Sequence, residues 1–288
     1  MLTSEIRIRD PFILKHDGLY YMYGASYQLL PGDDRLGINL WTSSDLNNWD
    51  GPFVAFRPPD GFWGTRDFWA PEVHEYRGAY YMFATFYGCD FMRGTAILKA
   101  DNPKGPFVPW SDGAVTPKDQ MCLDGTLFMD ENGEPWMVYC HEWLQIYNGT
   151  ICAIKLDKDL THAVSEPLLL FASQDTNRSK MVSFDGNEGY VTDAPFFYRT
   201  ADGTLLTLWS YFGDEGYCLS YAVSETCKLP GPWRQAEKPL FTKDGGHGMI
   251  FTAYDGRLML ALHQPNIAPD ERAMFIELKE IAGGLTTV

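Results

Sequence analysis

Short apolar runs alternate with polar turns along the whole chain, and no stretch sustains the spacing of an amphipathic helix. One phrase returns five times: a small turn motif, a strand, a turn containing glycine, then a strongly aromatic or aliphatic strand. The copies are DPFILKHDGLYYMYGAS from Asp10, APEVHEYRGAYYMFATF from Ala70, DGTLFMDENGEPWMVYCH from Asp124, DAPFFYRTADGTLLTLWSY from Asp193 and GHGMIFTAYDGRLMLALHQ from Gly246. Each carries an Asp-Gly, Arg-Gly or Asn-Gly dipeptide, where glycine tolerates the positive φ of a tight hairpin. A second phrase follows most copies: INLWTSSDLNNWDGP, TAILKADNPKGPFVPW, ICAIKLDKDLTHAVSEP and CLSYAVSETCKLPGPW. Each is an apolar strand, a polar turn and an edge marked by Pro or Trp.

Together the two phrases describe three or four antiparallel strands, which is one propeller blade. Copies recur at roughly 50–70 residues, so five of them fill the 288-residue chain. The pattern predicts an all-β fold: a single five-bladed β-propeller over residues 1–288. SEIRIR at the N-terminus and AMFIELKE at the C-terminus are both strand-like, and their sharing a blade would close the ring without open edges. An open β-sandwich or a pair of β domains is the alternative. The longest irregular stretch, Ser173 to Tyr190, precedes the fourth copy, and its length suits part of a substrate rim.

Composition narrows the function. The 9 Trp, 16 Tyr and 18 Phe suit pleated strands, and core packing accounts for most of them. A net charge of −15 repels nucleic acid and anionic membrane, so a neutral partner is expected. The N-terminus MLTSEIRIRDPF has no apolar leader, and no apolar run approaches a membrane span. The expectation is a cytoplasmic protein, or a secreted or periplasmic one if a leader has been removed. Six scattered cysteines (Cys89, Cys122, Cys140, Cys152, Cys218, Cys227) read as small buried hydrophobes rather than a metal site or disulfide framework.

In a propeller, equivalent positions of successive blades converge on the axis. Here those positions hold Asp10, Ala70, Asp124, Asp193 and His247. Glycoside hydrolysis needs one carboxyl group to protonate the leaving oxygen and another to activate water or attack carbon. A third nearby raises the acid's pKa by repulsion. Any one of these aspartates alone is an ordinary turn residue; three at matched positions point to a site.

Arg9-Asp10-Pro11-Phe12-Ile13, Trp69-Ala70-Pro71-Glu72-Val73-His74, Leu123-Asp124-Gly125-Thr126, Thr192-Asp193-Ala194-Pro195 and Gly246-His247-Gly248 resemble, in this order, the motifs of glycoside hydrolase family 43. The resemblance implies an inverting mechanism with Asp10 as general base, Asp193 as general acid, and Asp124 tuning and orienting the acid. The family usually carries Glu before Gly-Pro in the fourth blade, whereas this chain has Asp193, one methylene shorter and so about 1.5 Å further back. Glu188, swinging in from the long loop, is the alternative acid, and loss of activity is the third outcome.

Phe68 and Trp69 are read as sugar-stacking residues, Trp143 as a rim residue, and Arg272 resembles a family arginine that hydrogen-bonds the sugar. His247 resembles a family histidine beside a hydrated cation, commonly calcium, structural rather than catalytic; the chemistry itself requires no cofactor. The expected substrate is an oligosaccharide or polysaccharide, attacked from its end to release pentose units, as by an α-L-arabinofuranosidase or β-xylosidase. The base and acid would stand roughly 6.5–9.5 Å apart, against about 5 Å in a retaining enzyme. A carbohydrate-binding propeller without turnover and a protein-interaction propeller are the rival readings. Linkage, chain length, exo versus endo action and oligomeric state stay open.

Overall fold

The computed structural model describes residues 1–25, 36–89 and 92–288. It is 57% strand and 4% helix, arranged as a five-bladed β-propeller. Each blade is a four-stranded antiparallel sheet whose strands follow one another in sequence. The inner strands are Arg9–His16, Gly64–Tyr76, Cys122–Met129, Asp193–Arg199 and Gly246–Thr252.

The glycine dipeptides act as expected. Asp17-Gly18 and Arg77-Gly78 both have positive φ at each residue, the geometry that matches the twist of a two-residue hairpin. At Gly133, Gly203 and Gly256 glycine supplies the positive φ in the corresponding turn of blades three to five.

The apolar core lies between blades rather than inside any one of them. Phe83, Ile97, Met137 and Tyr139 join blades two and three, and Phe171, Trp209 and Phe128 join blades three and four. Leu206, Leu219, Ile250 and Leu260 join blades four and five. Each such large side chain contributes about 1.5–3 kcal/mol on burial, so a blade is held by its neighbours and the ring must close.

Closure differs in detail from the expectation. The terminal segments do meet, but blade one is drawn wholly from residues 9–56 and blade five from residues 246–287. Among the described residues the terminal segments share one β-bridge, Arg7 to Arg272, reinforced by an Arg7–Glu271 ion pair at 3.4 Å. Ile6 and Ile8, both fully buried, wedge this segment into the core shared by blades one and five. Packing, not an added strand, seals the ring.

The stretch from Ser173 to Tyr190 holds a 3-10 turn, Ser173–Asp175, and a two-stranded hairpin, Val182–Phe184 with Asn187–Gly189. Cys122, Cys140, Cys152 and Cys218 are buried thiols as expected, while Cys89 and Cys227 are exposed. No helix among the described residues is long and apolar enough to cross a membrane.

Candidate active site

The site grows from one repeated backbone device. Every inner strand slips register against its neighbour near its start: at Arg9/Phe12, Trp69/Glu72, opposite Val138/Cys140, at Asp193/Phe196 and at Gly246/Met249. Each slip contains one non-glycine residue in the left-handed region: Asp10 (φ 54°), Ala70 (44°), Asp124 (57°), Ala194 (54°) and His247 (52°). Such a conformation costs on the order of 1–3 kcal/mol and persists only where the surroundings hold it. Bulges of this kind re-aim side chains.

This corrects the alignment of the fourth blade. The residue equivalent to Asp10 and Asp124 is Ala194, and Asp193 lies one position earlier, level with Arg9, Trp69, Leu123 and Gly246. Asp-Ala-Pro and Asp-Pro look interchangeable in sequence, but the first puts the aspartate one residue before the left-handed position of the bulge and the second puts it at that position.

The bulge amides are satisfied by a rule. Asp10 N–H donates to His263 Nδ1 (3.2 Å), Asp124 N–H to Thr85 Oγ1 (2.9 Å) and His247 N–H to Ser210 Oγ (2.9 Å). In each case the acceptor comes from the second strand of the preceding blade. At Ala25 and Cys140, the corresponding residues of blades one and three, there is no oxygen to offer. There the acid itself accepts: Ala70 N–H donates to Asp10, and Ala194 N–H to Asp124 Oδ2 at 3.1 Å. Asp124 thus grips the residue next to Asp193.

The result is a cavity of about 270 Å³ with Asp10, Asp124, Asp193, Arg9, Trp69, Tyr217 and His247 in its wall. Burial pushes Asp10 up, but His247, at 3.1 Å, His263 and Arg9 outweigh it and hold its pKa below the usual range. His263 is itself pushed down to about 4 by burial, with Arg9 and His247 nearby. Asp124 goes the other way: burial raises it, Asp193 and Asp10 add repulsion, and His247, 3.7 Å away, compensates only in part. Asp193 is raised by burial and by Asp10, against His247 and a 3.0 Å hydrogen bond from Tyr217 Oη. Burial alone would lower His247; Asp10, Asp124 and Asp193 raise it instead. The cavity therefore combines one carboxyl group tuned toward its ionised form with two tuned toward their protonated forms, which is the division of labour acid–base hydrolysis requires.

Of the residues singled out from sequence, Asp10, Asp124, Asp193, Trp69 and His247 line this cavity. The others do not. Phe68 points into the core against Phe56 and Phe86, because successive strand residues face opposite sides and Trp69 takes the cavity side. Trp143 is buried beneath the hairpin at Gly189. Arg272 spends its donors on the carbonyls of Ser4, Pro269 and Glu271 at the ring closure. Glu188 is exposed on the hairpin, paired with Ser183, and is no candidate for the acid. Arg9, Tyr217 and His263 also serve the site: Arg9 stands in the first motif beside Asp10, His263 closes the second strand of the fifth copy, and Tyr217 comes from a third strand outside the quoted phrases.

The hydrated cation that the resemblance implies would lie beside His247, and the donors present offer it no direct shell. His247 offers one imidazole whose Nδ1 faces Asp10 and Asp124, and the same carboxylates favour its protonated form. Among the described residues no three His, Cys, Asp or Glu side chains gather as metal donors.

Residues 3–281 match the family model described as Glycosyl hydrolases family 43. Among solved structures, an endo-arabinase from Bacteroides thetaiotaomicron VPI-5482 is 40% identical, covers 98% of both chains and superposes with a TM-score of 0.91. Among curated proteins, the extracellular endo-alpha-(1->5)-L-arabinanase 2 of Bacillus subtilis (strain 168) is 24% identical over 282 residues, 87% of this chain and 55% of its own. Alpha-L-arabinofuranosidase 43 of Humicola insolens is 22% identical over 264 residues, 86% of this chain and 52% of its own. The chain spans about half the length of these curated relatives.

Proposed function

This chain belongs to glycosyl hydrolases family 43, and from that premise we propose that it hydrolyses α-(1→5)-linked L-arabinofuranosyl chains internally, with inversion at the anomeric carbon. The observation that carries the reading is the opposite tuning of carboxyl groups in one cavity: Asp10 pulled down, Asp124 and Asp193 pushed up.

Asp10, as carboxylate, accepts a proton from water as the water oxygen bonds to the anomeric carbon. The bond to the leaving oxygen breaks on the opposite face, and Asp193 gives that oxygen its proton. Asp124 stays out of bond making; its grip on the Ala194 amide orients the acid and its charge discourages early loss of the proton. His247 and Arg9 hold the base ionised, and Tyr217 fixes one oxygen of Asp193. Inversion requires the working carboxyl groups to stand roughly 6.5–9.5 Å apart, with room for the water.

Two observations favour internal cleavage over release of terminal pentose. The 40% identical neighbour is described as an endo-arabinase and matches this chain end to end. A second cavity, of about 210 Å³, is bordered by Arg93, whose guanidinium packs on Trp69 of the central pocket, together with Thr116, Lys118 and Gln120, and would give a polymer room outside that pocket.

Digestion of linear arabinan tests this, with products followed from the earliest times and the first-formed anomer read by proton NMR. Mixed-length oligosaccharides of inverted configuration are expected. Arabinose alone from the start would replace this reading with a terminal arabinofuranosidase, and xylose from xylo-oligosaccharides with a β-xylosidase. Binding without turnover would leave a carbohydrate-binding propeller.

A further inference from the structure

Trp69 stands on the most irregular strand of the molecule. Its pairing with Ala79–Gly88 slips three times, between Gly64 and Arg66, Arg66 and Trp69, and Trp69 and Glu72. Left-handed residues flank the ring on both sides, Asp67 (φ 56°) and Ala70 (φ 44°). Backbone of this kind does not fix the plane of an indole by itself; it needs an external hold.

Arg93 supplies one. Its guanidinium carbon lies 4.5 Å from the centre of the Trp69 ring. Nε and Nη2 donate to Asp67 Oδ2 at 3.2 and 2.9 Å, and Nη1 donates to Glu142 Oε2. Glu142 follows the second strand of blade three, where its own N–H is fixed to the Met121 carbonyl at 2.8 Å. The side chains of Arg93 and Glu142 are only 9% and 7% exposed.

Buried ion networks are weak devices for stability, since apolar side chains of similar shape often serve as well. What a planar five-donor fork does supply is geometry. Here it ties the ring of blade two to blade three, the blade that carries Asp124, and Arg93 also borders the second cavity.

We infer that Arg93, held by Asp67 and Glu142, is a positioning residue that sets the plane of Trp69 against the furanose in the pocket, and so the register in which a neutral arabinofuranosyl chain meets the acid and base. The inference rests on the function proposed above and deepens it.

A double-mutant cycle tests the coupling. Arg93→Met alone would strand the buried carboxylate of Glu142 and the half-buried one of Asp67, so the network is neutralised as a whole, Arg93→Met/Asp67→Asn/Glu142→Gln, and compared with Trp69→Ala and with both together, each checked for native melting. Neutralising the network should raise KM for arabinan about tenfold with a smaller change in kcat, and should add less than about twofold once Trp69 is alanine. An unchanged KM, or effects that multiply fully, would overturn the assignment.

Arg93→Lys gives a second, gentler variant. It keeps the charge without the fork and is expected to show the same raised KM; a wild-type KM there would defeat the proposal even if the triple variant failed to fold. Calorimetric binding of arabino-oligosaccharides repeats the cycle without turnover. Binding without hydrolysis in the unmodified protein sinks the hydrolase reading alone, hydrolysis with a multiplicative cycle sinks this inference alone, and absence of binding sinks both.

Discussion

Asp10 and Asp124 are the same residue in the same place twice. Each is the left-handed residue of its inner strand, each side chain is nearly buried, and each accepts the amide of a left-handed alanine in the next blade. Their pKa values nevertheless move in opposite directions. Burial, which raises both, is common to them and so cannot explain the difference. The neighbours do: both feel His247, but Asp10 has His263 and Arg9 beside it as well, whereas Asp124 meets repulsion from Asp193 and Asp10. A propeller offers five nearly equivalent positions around one axis, and which charge occupies the adjacent one decides whether a carboxyl group serves as base or as partner of the acid.

The comparison can be broken at several points. Asp10→Asn removes the base and should cut kcat on arabinan by roughly 10⁴-fold with the fold intact; a loss under about tenfold would remove Asp10 from the mechanism. Asp124→Asn leaves base and acid in place, so the loss should be smaller, roughly 10²-fold. Because a negative charge next to Asp193 is gone, the acid ionises sooner and the alkaline limb of the pH–rate profile should move to lower pH. An alkaline limb that stayed put would deny Asp124 its tuning role.

His247→Gln removes a cation that acts on both Asp10 and Asp124. Without that cation the pKa of the base rises, so the acidic limb of kcat/KM should shift upward by about one pH unit. The profile of the purified variant against the parent decides it.

The smallest effect is on stability, and its sign is the informative part. Asp10, with its folded pKa lowered, contributes stability that is present above its ordinary 3.8 and is lost as pH falls through the folded value. Asp124, with its pKa raised, contributes favourably below 3.8 and loses that contribution as pH rises through its folded value. At pH 7 Asp124→Asn should therefore melt higher than Asp10→Asn, by about 2–4 °C for each kcal/mol between them. The gap should close in acid. Equal melting temperatures at pH 7 would mean that the two environments are not the opposites described here.

Much of this was legible in the residues. The repeated strand–glycine–strand phrase determined five blades because the hairpin needs positive φ and the pleat needs alternating apolar side chains, both local demands. Asp10, Asp124, Trp69 and His247 were legible as site residues for the same reason, since each falls at a repeat position. What the repeat could not reveal was the bulge. One residue of register separates Asp193 from the left-handed position that Ala194 takes, and only pairing with the neighbouring strand sets that register. Phe68 and Trp69 are adjacent in sequence and face opposite sides of their strand, and which of them meets the cavity is decided by the same kind of register.

Arg272 and Trp143 were plausible by motif and turned elsewhere by packing. Arg9, Tyr217, His263, Arg93 and Glu142 act through contacts between strands distant in sequence, to which no local pattern points. The sequence by itself determined where carboxylates would gather. The tertiary structure decided what each would be, because a pKa depends on burial and on the charges within a few ångströms, and those neighbours exist only once the ring has closed.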